Sequence, residues 1–190
     1  AGLSAATTAA YHGLDVVVLE KADVLGGASA WSGGWMWVPR NHLARAAGIE
    51  ESRDTVRLYL EHELGEHFNA ARVDAFLDAA PEMAKFFHDH TALTFEPGNS
   101  IPDIHADTPG CGTGGRSLIA APFDAKTLTP DTLAKLRTTM RETSLFGMPI
   151  QAGADLTAFL NASRSPRAFW HASGRLVRHG WDMIRHRRAM

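Results

Sequence analysis

The feature that most constrains this chain is a short apolar segment followed directly by an acid and a glycine- and serine-rich stretch. Residues 15–19 read DVVVL, which predicts a buried β-strand, and residues 20–34 read EKADVLGGASAWSGG. Glu20 stands at the carboxyl end of the predicted strand, where a carboxylate can accept hydrogen bonds from ribose hydroxyls. The paired glycines allow backbone N–H groups to approach a pyrophosphate or a flat ring. The pattern therefore predicts a dinucleotide site.

The residues before this stretch have the order of a nucleotide-binding βαβ unit. Small residues predict a helix from Ala1 to about Tyr11, and Gly13 ends it before the predicted strand. Gly2 falls where the last glycine of the nucleotide fingerprint would lie, and Glu20 follows at the expected distance. The first strand, the leading glycines and an initiator Met are missing from the sequence. We therefore expect an interior piece of a longer protein that begins inside its nucleotide fingerprint.

The single confident strand gives a second reason for the same expectation. The backbone groups of a parallel strand need partners on both sides, and its two faces need cover. No other segment of the sequence predicts a second parallel strand, so we expect the partner strands to lie outside this chain.

Composition and charge exclude several classes of partner. The formal net charge is −2, which indicates no nucleic-acid partner, and no apolar run approaches the ~20 residues of a transmembrane segment. Cys111 is the single cysteine, so no disulfide can form within the chain. This favours a reducing compartment, and we expect a cytoplasmic location.

After Pro39 the pattern becomes mainly helical. Apolar periodicity together with capping residues predicts helices over residues 41–47, 52–64, from 69, 82–90, from 129, 155–160 and from 165. Pro81 is expected to open a helix of its own that buries Met83. A short strand is expected at residues 93–95, and residues 96–115 predict a long loop.

The segments AGLSAA, VVVLEKA and GGASAWSGGWMWVPRN resemble the FAD-binding region of the fumarate reductase and 3-ketosteroid Δ1-dehydrogenase flavoproteins. The segments PEMAKFFHDH, DIHADTPG and GGRSLIAAPFDAKTL follow the ketosteroid branch in the same order. The resemblance implies an α/β fold, namely a Rossmann-like FAD/NAD(P)-binding domain that is incomplete and carries a mainly helical insertion. Residues 1–40 would form the partial βαβ core, and residues 41–190 the insertion. The substrate-capping domain would lie outside this chain.

The same resemblance implies that the cofactor is FAD and assigns residues to it. Glu20 would hold the adenosine ribose, and Ala1 and Gly2 would lie near the pyrophosphate. Lys21 is a further candidate, with a solvated charge as the alternative. The residues that would line the pyrophosphate and flavin are Gly27, Ala28, Ser29, Ser32, Gly33 and Gly34. We predict no metal ligands.

The implied reaction is hydride transfer between flavin N5 and a carbon–carbon bond next to a carbonyl, with a steroid-like substrate and a separate electron acceptor. One alternative is a fumarate reductase-like flavoprotein that acts on a small dicarboxylate, and another is a non-catalytic truncated fragment. The ketosteroid branch carries a catalytic tyrosine in the segment that matches residues 103–110, but this chain reads DIHADTPG there. His105 is the candidate proton donor in its place, and a solvated loop histidine is the alternative. We otherwise expect the catalytic acid and base outside the chain.

Three further features have two interpretations each. Arg116 would form a structural salt bridge or contact a ligand. The three tryptophans after the glycines would wall the flavin or pack in the core. The last helix, rich in arginine, would pack its aromatic stripe on a core, or bind a membrane surface or nucleic acid.

Overall fold

A computed structural model describes residues 2–138, 140, 142 and 144–187. At its centre lies a three-stranded antiparallel sheet in the order β1–β3–β2. Strand β1 spans Trp35–Trp37, β2 spans Phe95–Gly98 and β3 spans Ser117–Ala120. Trp35 pairs with Ile119, and Phe95 pairs with Ala120. A two-stranded hairpin, β4 (Ser144–Leu145) and β5 (Met148–Pro149), follows further along the chain.

Seven α-helices surround these strands in the described part of the chain. They are α1 (Gly2–Tyr11), α2 (His42–Ala46), α3 (Arg53–Leu64), α4 (Ala70–His90), α5 (Pro130–Lys135), α6 (Ala154–Leu160) and α7 (Pro166–His186). Short 3-10 turns occupy Gly27–Trp31, Gly65–His67 and Ala125–Thr127. None of the described helices is long and apolar enough to cross a membrane.

Side-chain caps fix the helix starts at positions that the sequence predicted. The Ser52 hydroxyl accepts the Thr55 N–H at 3.0 Å, and the Asn69 amide oxygen accepts the Arg72 N–H at 3.1 Å. Each bond satisfies a backbone donor that has no acceptor inside its own helix. Gly48 closes the segment after α2 with a φ of 77°, a conformation that favours glycine. The predicted helices at both ends of the chain, α1 and α7, are also confirmed.

The core consists of two buried clusters that share helix α4. One cluster packs α4 against β2 and β3 and comprises Val38, Ala80, Ala84, Phe87, Phe95 and Leu118. The other packs α4 against α3 and comprises Val56, Val73 and Leu77. Burial of each large side chain here stabilises the fold by about 1.5–3 kcal/mol, so α4 joins the two clusters into one unit.

The prediction of a separate helix after Pro81 is wrong, because α4 runs continuously from Ala70 to His90 through this proline. Proline inside a helix removes one backbone hydrogen bond and costs about 3 kcal/mol. Leu77 and Ala84 are buried on the two sides of Pro81, so apolar burial along both halves of the helix offsets this cost. Met83, expected in the core, is partly exposed instead.

The prediction of a buried strand at residues 15–19 is also wrong in this chain. The segment has no regular secondary structure and belongs to neither described sheet, and Val17 and Leu19 are 85% and 92% exposed. A strand requires neighbours for its N–H and C=O groups, and no described residue pairs with this segment in a ladder. The sequence pattern indicates a buried strand, but neither of the described sheets includes this segment.

The sequence did not predict strands β1 and β3, and strand β2 begins at Phe95, where the predicted strand ended. Short antiparallel strands carry too few residues for a periodic pattern, and their partners lie far apart in sequence. The described residues after Pro39 therefore combine helices with an antiparallel sheet.

The long loop between β2 and β3 is pinned by a buried arginine. Arg116 is 1% exposed and pairs with Glu51 at 2.7 Å and with Asp103 at 2.5 Å. It also donates to the Gly110 carbonyl at 2.8 Å. The salt-bridge interpretation of Arg116 is therefore confirmed. Gly110 has a φ of 79°, and a Cβ there would lie 2.4 Å from the Thr55 carbonyl oxygen, so the loop backbone touches α3 directly.

Helix α7 exposes its apolar side chains and buries polar ones, which is the reverse of the usual arrangement. The side chains of its aromatic and aliphatic stripe are at least half exposed, and they are Phe169, Trp170, Val177, Trp181 and Ile184. His179 and Asp182 are buried on another face. The expectation that the stripe packs on a core is wrong among the described residues, because α7 packs its polar side inward.

Candidate functional site

The glycine and serine stretch forms a 3-10 turn that is tied to the end of helix α5. Leu25 and Leu136 form a parallel bridge, with the Leu25 N–H donating to the Lys135 carbonyl at 2.7 Å. The Trp31 indole N–H donates to the Thr138 carbonyl at 3.1 Å, and the Arg137 guanidinium lies 4.8 Å from the centre of the Trp31 ring. These contacts hold the turn at a defined place although its residues are mostly exposed.

The second half of the stretch connects this turn to the central sheet. The Ser32 hydroxyl accepts the Gly34 N–H at 3.1 Å, and the Gly34 carbonyl accepts the Ala120 N–H at 3.2 Å. Gly34 has a φ of 78°, which a side chain would strain. A glycine is therefore required where the chain turns from the loop into β1.

A cavity of ≈ 530 Å³ opens beside the stretch and is large enough for a flat ring. Residues 30–33 of the stretch form part of its wall, and Leu145 and Leu156 form another part. A Cβ on Gly33 would lie 3.7 Å from both Ala152 and Trp35, which is ordinary van der Waals contact, so the backbone at this position accepts a side chain. The size and mostly apolar walls fit a flavin ring, and they bring together two of the predicted cofactor residues, Ser32 and Gly33.

The other predicted cofactor residues have different positions. Gly27, Ala28 and Ser29 form the exposed 3-10 turn, whose first N–H groups have no acceptor inside the turn. The Glu20 carboxylate accepts the Ala22 N–H at 2.9 Å. Lys21 is exposed, Gly2 begins α1, and Ala1 lies outside the described residues. The structure does not place Glu20 or Lys21 among the residues that line the cavity.

A second cavity of ≈ 500 Å³ lies between β1, α3 and the long loop. Trp35, Trp37 and Tyr59 supply aromatic walls, and the Trp37 indole N–H donates to the Asp103 carboxylate at 2.7 Å. Burial, followed by the nearby carboxylates of Asp103 and Glu63, raises the pKa of Tyr59 above its ordinary value. The phenol of Tyr59 therefore keeps its proton to a higher pH than an exposed tyrosine would.

A histidine and a glutamate pair at the rim of this second cavity. The His105 Nδ1 lies 2.6 Å from Glu63 Oε2, and the Thr108 hydroxyl donates to Glu63 Oε1 at 2.7 Å. These bonds, that from Thr108 first and that from His105 second, lower the pKa of the Glu63 carboxyl. When Nδ1–H donates to Glu63, Nε2 of His105 carries a lone pair that can accept a proton. Sequence analysis missed Glu63 because it lies 42 residues from His105.

A second group of histidines, separate from the His105–Glu63 pair, joins α2 to the end of α4. The side chains of His42, His88 and Asp89 lie close enough to hold a metal ion, although the sequence predicted no metal ligands. However, Nδ1 of His88 accepts the Phe95 N–H at 3.1 Å, so in the neutral ring Nε2 carries the proton. The three residues therefore do not offer three free ligand atoms at once.

Several relatives share much of this sequence. The chain is 36% identical over 188 residues to a 4-oxocyclohex-2-ene-1-carboxylate 5-dehydrogenase from Sinomonas cyclohexanicum, covering 99% of this chain and 31% of the relative. It is 42% identical over 133 residues to a 3-oxosteroid 1-dehydrogenase from Mycolicibacterium smegmatis, covering 69% of this chain and 23% of the relative. The chain thus spans less than a third of the length of these relatives.

A solved structure gives the same result at the level of the fold. The crystal structure of 3-ketosteroid delta1-dehydrogenase from Sterolibacterium denitrificans, in complex with 1,4-androstadiene-3,17-dione, superposes with a TM-score of 0.82 at 31% identity. The match covers 97% of this chain and 32% of that one, which supports the α/β class. The family described as "FAD binding domain" matches residues 1–189. The chain therefore belongs to the FAD-binding domain family, and the predicted cofactor, FAD, is the cofactor of that family.

Proposed function

We propose that this chain is part of an FAD-dependent oxidoreductase that dehydrogenates a carbon–carbon bond beside a ring carbonyl. The observation that carries the proposal is that the similar proteins are dehydrogenases whose names specify a cyclic ketone, an oxocyclohexene carboxylate in one case and a 3-oxosteroid in another. The substrate class that these names share is a cyclic ketone, of which the oxocyclohexene carboxylate is a small example and the steroid a larger one.

The proposed architecture is a Rossmann-like FAD-binding domain to which other sequence contributes. Residues 1–40 would supply part of the βαβ core and residues 41–190 an insertion, with the substrate-capping domain in other sequence. The exposed apolar segment at residues 15–19 supports this proposal, because partner strands would give its backbone groups hydrogen bonds and cover its side chains. The single thiol supports a reducing, cytoplasmic location.

The proposed cofactor contacts follow from the geometry of the glycine and serine stretch. Ser32 and Gly33 would contact the flavin through the cavity that they line, and Gly34 would keep the turn into β1. The N–H groups of the 3-10 turn, at Gly27, Ala28 and Ser29, would face the pyrophosphate. Glu20 would hold the ribose, with Lys21 nearby and Ala1 and Gly2 near the phosphates.

The proposed chemistry removes a proton and a hydride from adjacent carbons, and a carbon–carbon double bond forms. Bound FAD would supply the hydride acceptor for this reaction, and the electrons would pass on to a separate acceptor. We propose that His105 carries the proton and that Glu63 positions it, since the 2.6 Å contact fixes the ring at the rim of an aromatic cavity. The substrate ring would lie against Trp35 and Tyr59 in this cavity.

One observation favours a second candidate. A segment of 52 residues is 50% identical to a urocanate reductase from Eggerthella lenta, over 27% of this chain. This similarity supports a reductase that acts on a small unsaturated acid, related to the dicarboxylate alternative. A third possibility, that residues 1–190 alone bind no flavin, stays a prediction.

Activity of the intact protein that contains this chain distinguishes the candidates. The purified protein would be supplied with an artificial electron acceptor and either a 4-oxocyclohexane carboxylate or a 3-oxosteroid. Product carrying a new double bond is expected with at least one of them. Activity only in the reverse direction, with fumarate or urocanate and a reductant, would contradict the proposal and support the second candidate.

The cofactor contacts need a separate test. Gly33→Leu is expected to abolish flavin retention, measured as visible absorbance of the released cofactor, because the added side chain fills the cavity. Gly180→Leu is the matched control, since no atom lies within 4 Å of a Cβ at that exposed position. Equal flavin content in the two variants would show that the cavity does not hold the ring.

A further inference from the structure

The inward face of α7 borders a cavity of ≈ 440 Å³ next to α6 and the β4–β5 hairpin, in which several charged side chains lie among apolar ones. The helix contributes five residues to its walls, His171, Arg175, Arg178, His179 and Asp182. Their spacing places all of them on one face of the helix, opposite the exposed apolar stripe. This cavity is distinct from the one beside the glycine stretch, with which it shares only Pro149.

Two buried hydrogen-bond acceptors in this cavity lack donors. His179 is 8% exposed, and its Nε2 lies 3.1 Å from the Phe146 carbonyl. A carbonyl can only accept, so Nε2 carries the proton and Nδ1 has a free lone pair, which has no partner. Asp182 is 3% exposed, and its Oδ1 has no hydrogen bond, although Lys126 Nζ lies 3.5 Å away. A buried acceptor without a hydrogen bond destabilises the fold, and a bound donor would relieve that cost.

Unused donors lie one to two helical turns away along the same face. The Nε of Arg175 is buried without a hydrogen-bond partner, while its Nη2 donates to the Pro149 carbonyl at 3.0 Å. Arg178 is exposed, and its nearest carboxylate, that of Asp124, is 3.8 Å away. Arg178 and Asp182 are separated by a rise of about 6 Å along the helix. The cavity is thus lined by positive donors and by open acceptors on the same face of α7.

The wall of the cavity is held rigid by a buried aspartate. Asp155 Oδ1 lies 2.6 Å from His171 Nε2, and its Oδ2 lies 3.4 Å from Arg175 Nη2 and accepts the Gln151 N–H at 3.3 Å. These contacts join α6 and α7 across the floor of the cavity. The open groups therefore have fixed positions, which lowers the entropic cost of binding a ligand there.

We propose that this cavity binds a small zwitterion that carries a carboxylate and an ammonium group a few bonds apart. The ammonium donates to His179 Nδ1 and Asp182 Oδ1, and the carboxylate accepts from Arg175 Nε and Arg178. Three acids, Glu96, Asp155 and Asp182, and two arginines line the cavity, so charged groups of both signs are available to a ligand that carries both signs itself. No flavin and no redox step is involved.

The test measures ligand binding to the unmodified protein by isothermal titration calorimetry. The probes are 4-aminobutyrate, butyrate, butylamine and 4-hydroxybutyrate. We expect 4-aminobutyrate to bind at least about tenfold more tightly than the other three, since each of them lacks one of the two charged ends. Equal affinities, or no binding of 4-aminobutyrate, would overturn the proposal. Tighter binding of 4-hydroxybutyrate would overturn the assignment of an ammonium.

Two variants locate the site. Asp182→Asn and Arg178→Gln should each weaken 4-aminobutyrate binding by about tenfold or more, whereas Arg185→Gln, on an exposed part of the same helix, should leave it unchanged. Arg178→Gln leaves no buried group unpaired, so it tests the site even if Asp182→Asn fails to fold. Wild-type affinity in Arg178→Gln would contradict the proposed carboxylate contact. Flavin content serves as an independent readout, so failure of this proposal does not bear on the cofactor.

Discussion

Residues 35–120 and residues 2–34 differ in how far their side chains are covered by the rest of the chain. The first region contains both buried clusters, the buried Arg116 and helix starts capped by Ser52 and Asn69. In the second, no side chain is buried, and its most apolar segment is exposed. The comparison shows that the described residues supply a buried core for residues 35–120. Residues 2–34 contain the glycine and serine stretch with the predicted cofactor residues, but the described residues leave their side chains at least partly exposed.

The largest expected effect comes from breaking the buried charge cluster. Arg116→Met keeps the volume of the side chain but leaves the buried Asp103 carboxylate without its cation, so we expect the free energy of unfolding to fall by about 3–5 kcal/mol. Urea unfolding monitored by circular dichroism measures it. Lys21→Met is the control in residues 2–34 and should change stability by less than about 0.5 kcal/mol. A loss below about 1 kcal/mol for Arg116→Met would show that the cluster does not hold the loop.

The next effect compares two leucines. Leu77→Ala opens a hole where the side chain is 1% exposed, and it should cost about 2–5 kcal/mol. Leu19→Ala, at a side chain that is 92% exposed, should lie within about 0.5 kcal/mol of the wild type. The same unfolding measurement applies to both variants. Comparable losses would mean that residues 15–19 are covered in solution and that the contrast between the two regions is smaller than described.

A smaller effect separates burial from helix capping. Asn41 is fully buried and caps α2 while its amide donates to the carbonyls of Val38 and Gly115. Asn41→Ala should cost about 1–3 kcal/mol, since two buried carbonyls lose their donor. Asn69→Ala removes an exposed cap with the same geometry and should cost about 1 kcal/mol. Thermal unfolding of the two variants gives the difference, and equal losses would assign the whole effect of Asn41 to capping.

The smallest effect concerns pH. The pKa of Glu63 lies below its ordinary value of 4.5 in the folded chain, because Thr108 and then His105 bond to the carboxylate. The stabilisation is therefore complete above the ordinary value and is lost as the pH falls through the lower, folded value. Glu63→Gln should flatten the acid side of a plot of melting temperature against pH. Glu61→Gln, on the exposed side of the same helix, should leave that plot unchanged.

Much of residues 35–120 follows from local sequence signals. Ser52, Asn69 and Gly48 mark helix boundaries through bonds and backbone angles that involve only near neighbours in sequence, so they were predictable. The strands of the central sheet were not, since Trp35 and Ile119 are far apart in the chain and each strand is too short to show a period. The continuous helix through Pro81 depends on burial along both of its halves, which no local rule contains.

The sequence led to the glycine stretch but not to what surrounds it. Ser32 and Gly33 were assigned to the cofactor through the family resemblance of this stretch, and they line a cavity. Trp31 was a candidate wall of the flavin, but its contact with Arg137, which anchors the stretch, was not predicted because it joins segments more than a hundred residues apart. Glu63 and Asp155 were missed for the same reason, since each acts through a histidine that only the fold brings within 2.6 Å.

Gly110 and Gly48 have nearly the same φ, 79° and 77°, but very different surroundings. A side chain at position 48 meets no atom within 4 Å, whereas one at position 110 would strike the main chain of α3. In a library of random substitutions, asparagine, which enters left-handed backbone conformations more easily than most residues, should therefore survive at position 48 and be purged at position 110. The two glycines have the same dihedral requirement, but only Gly110 also fixes where the chain passes. In related sequences, the length and path of the long loop can therefore vary only if the glycine at position 110 is retained.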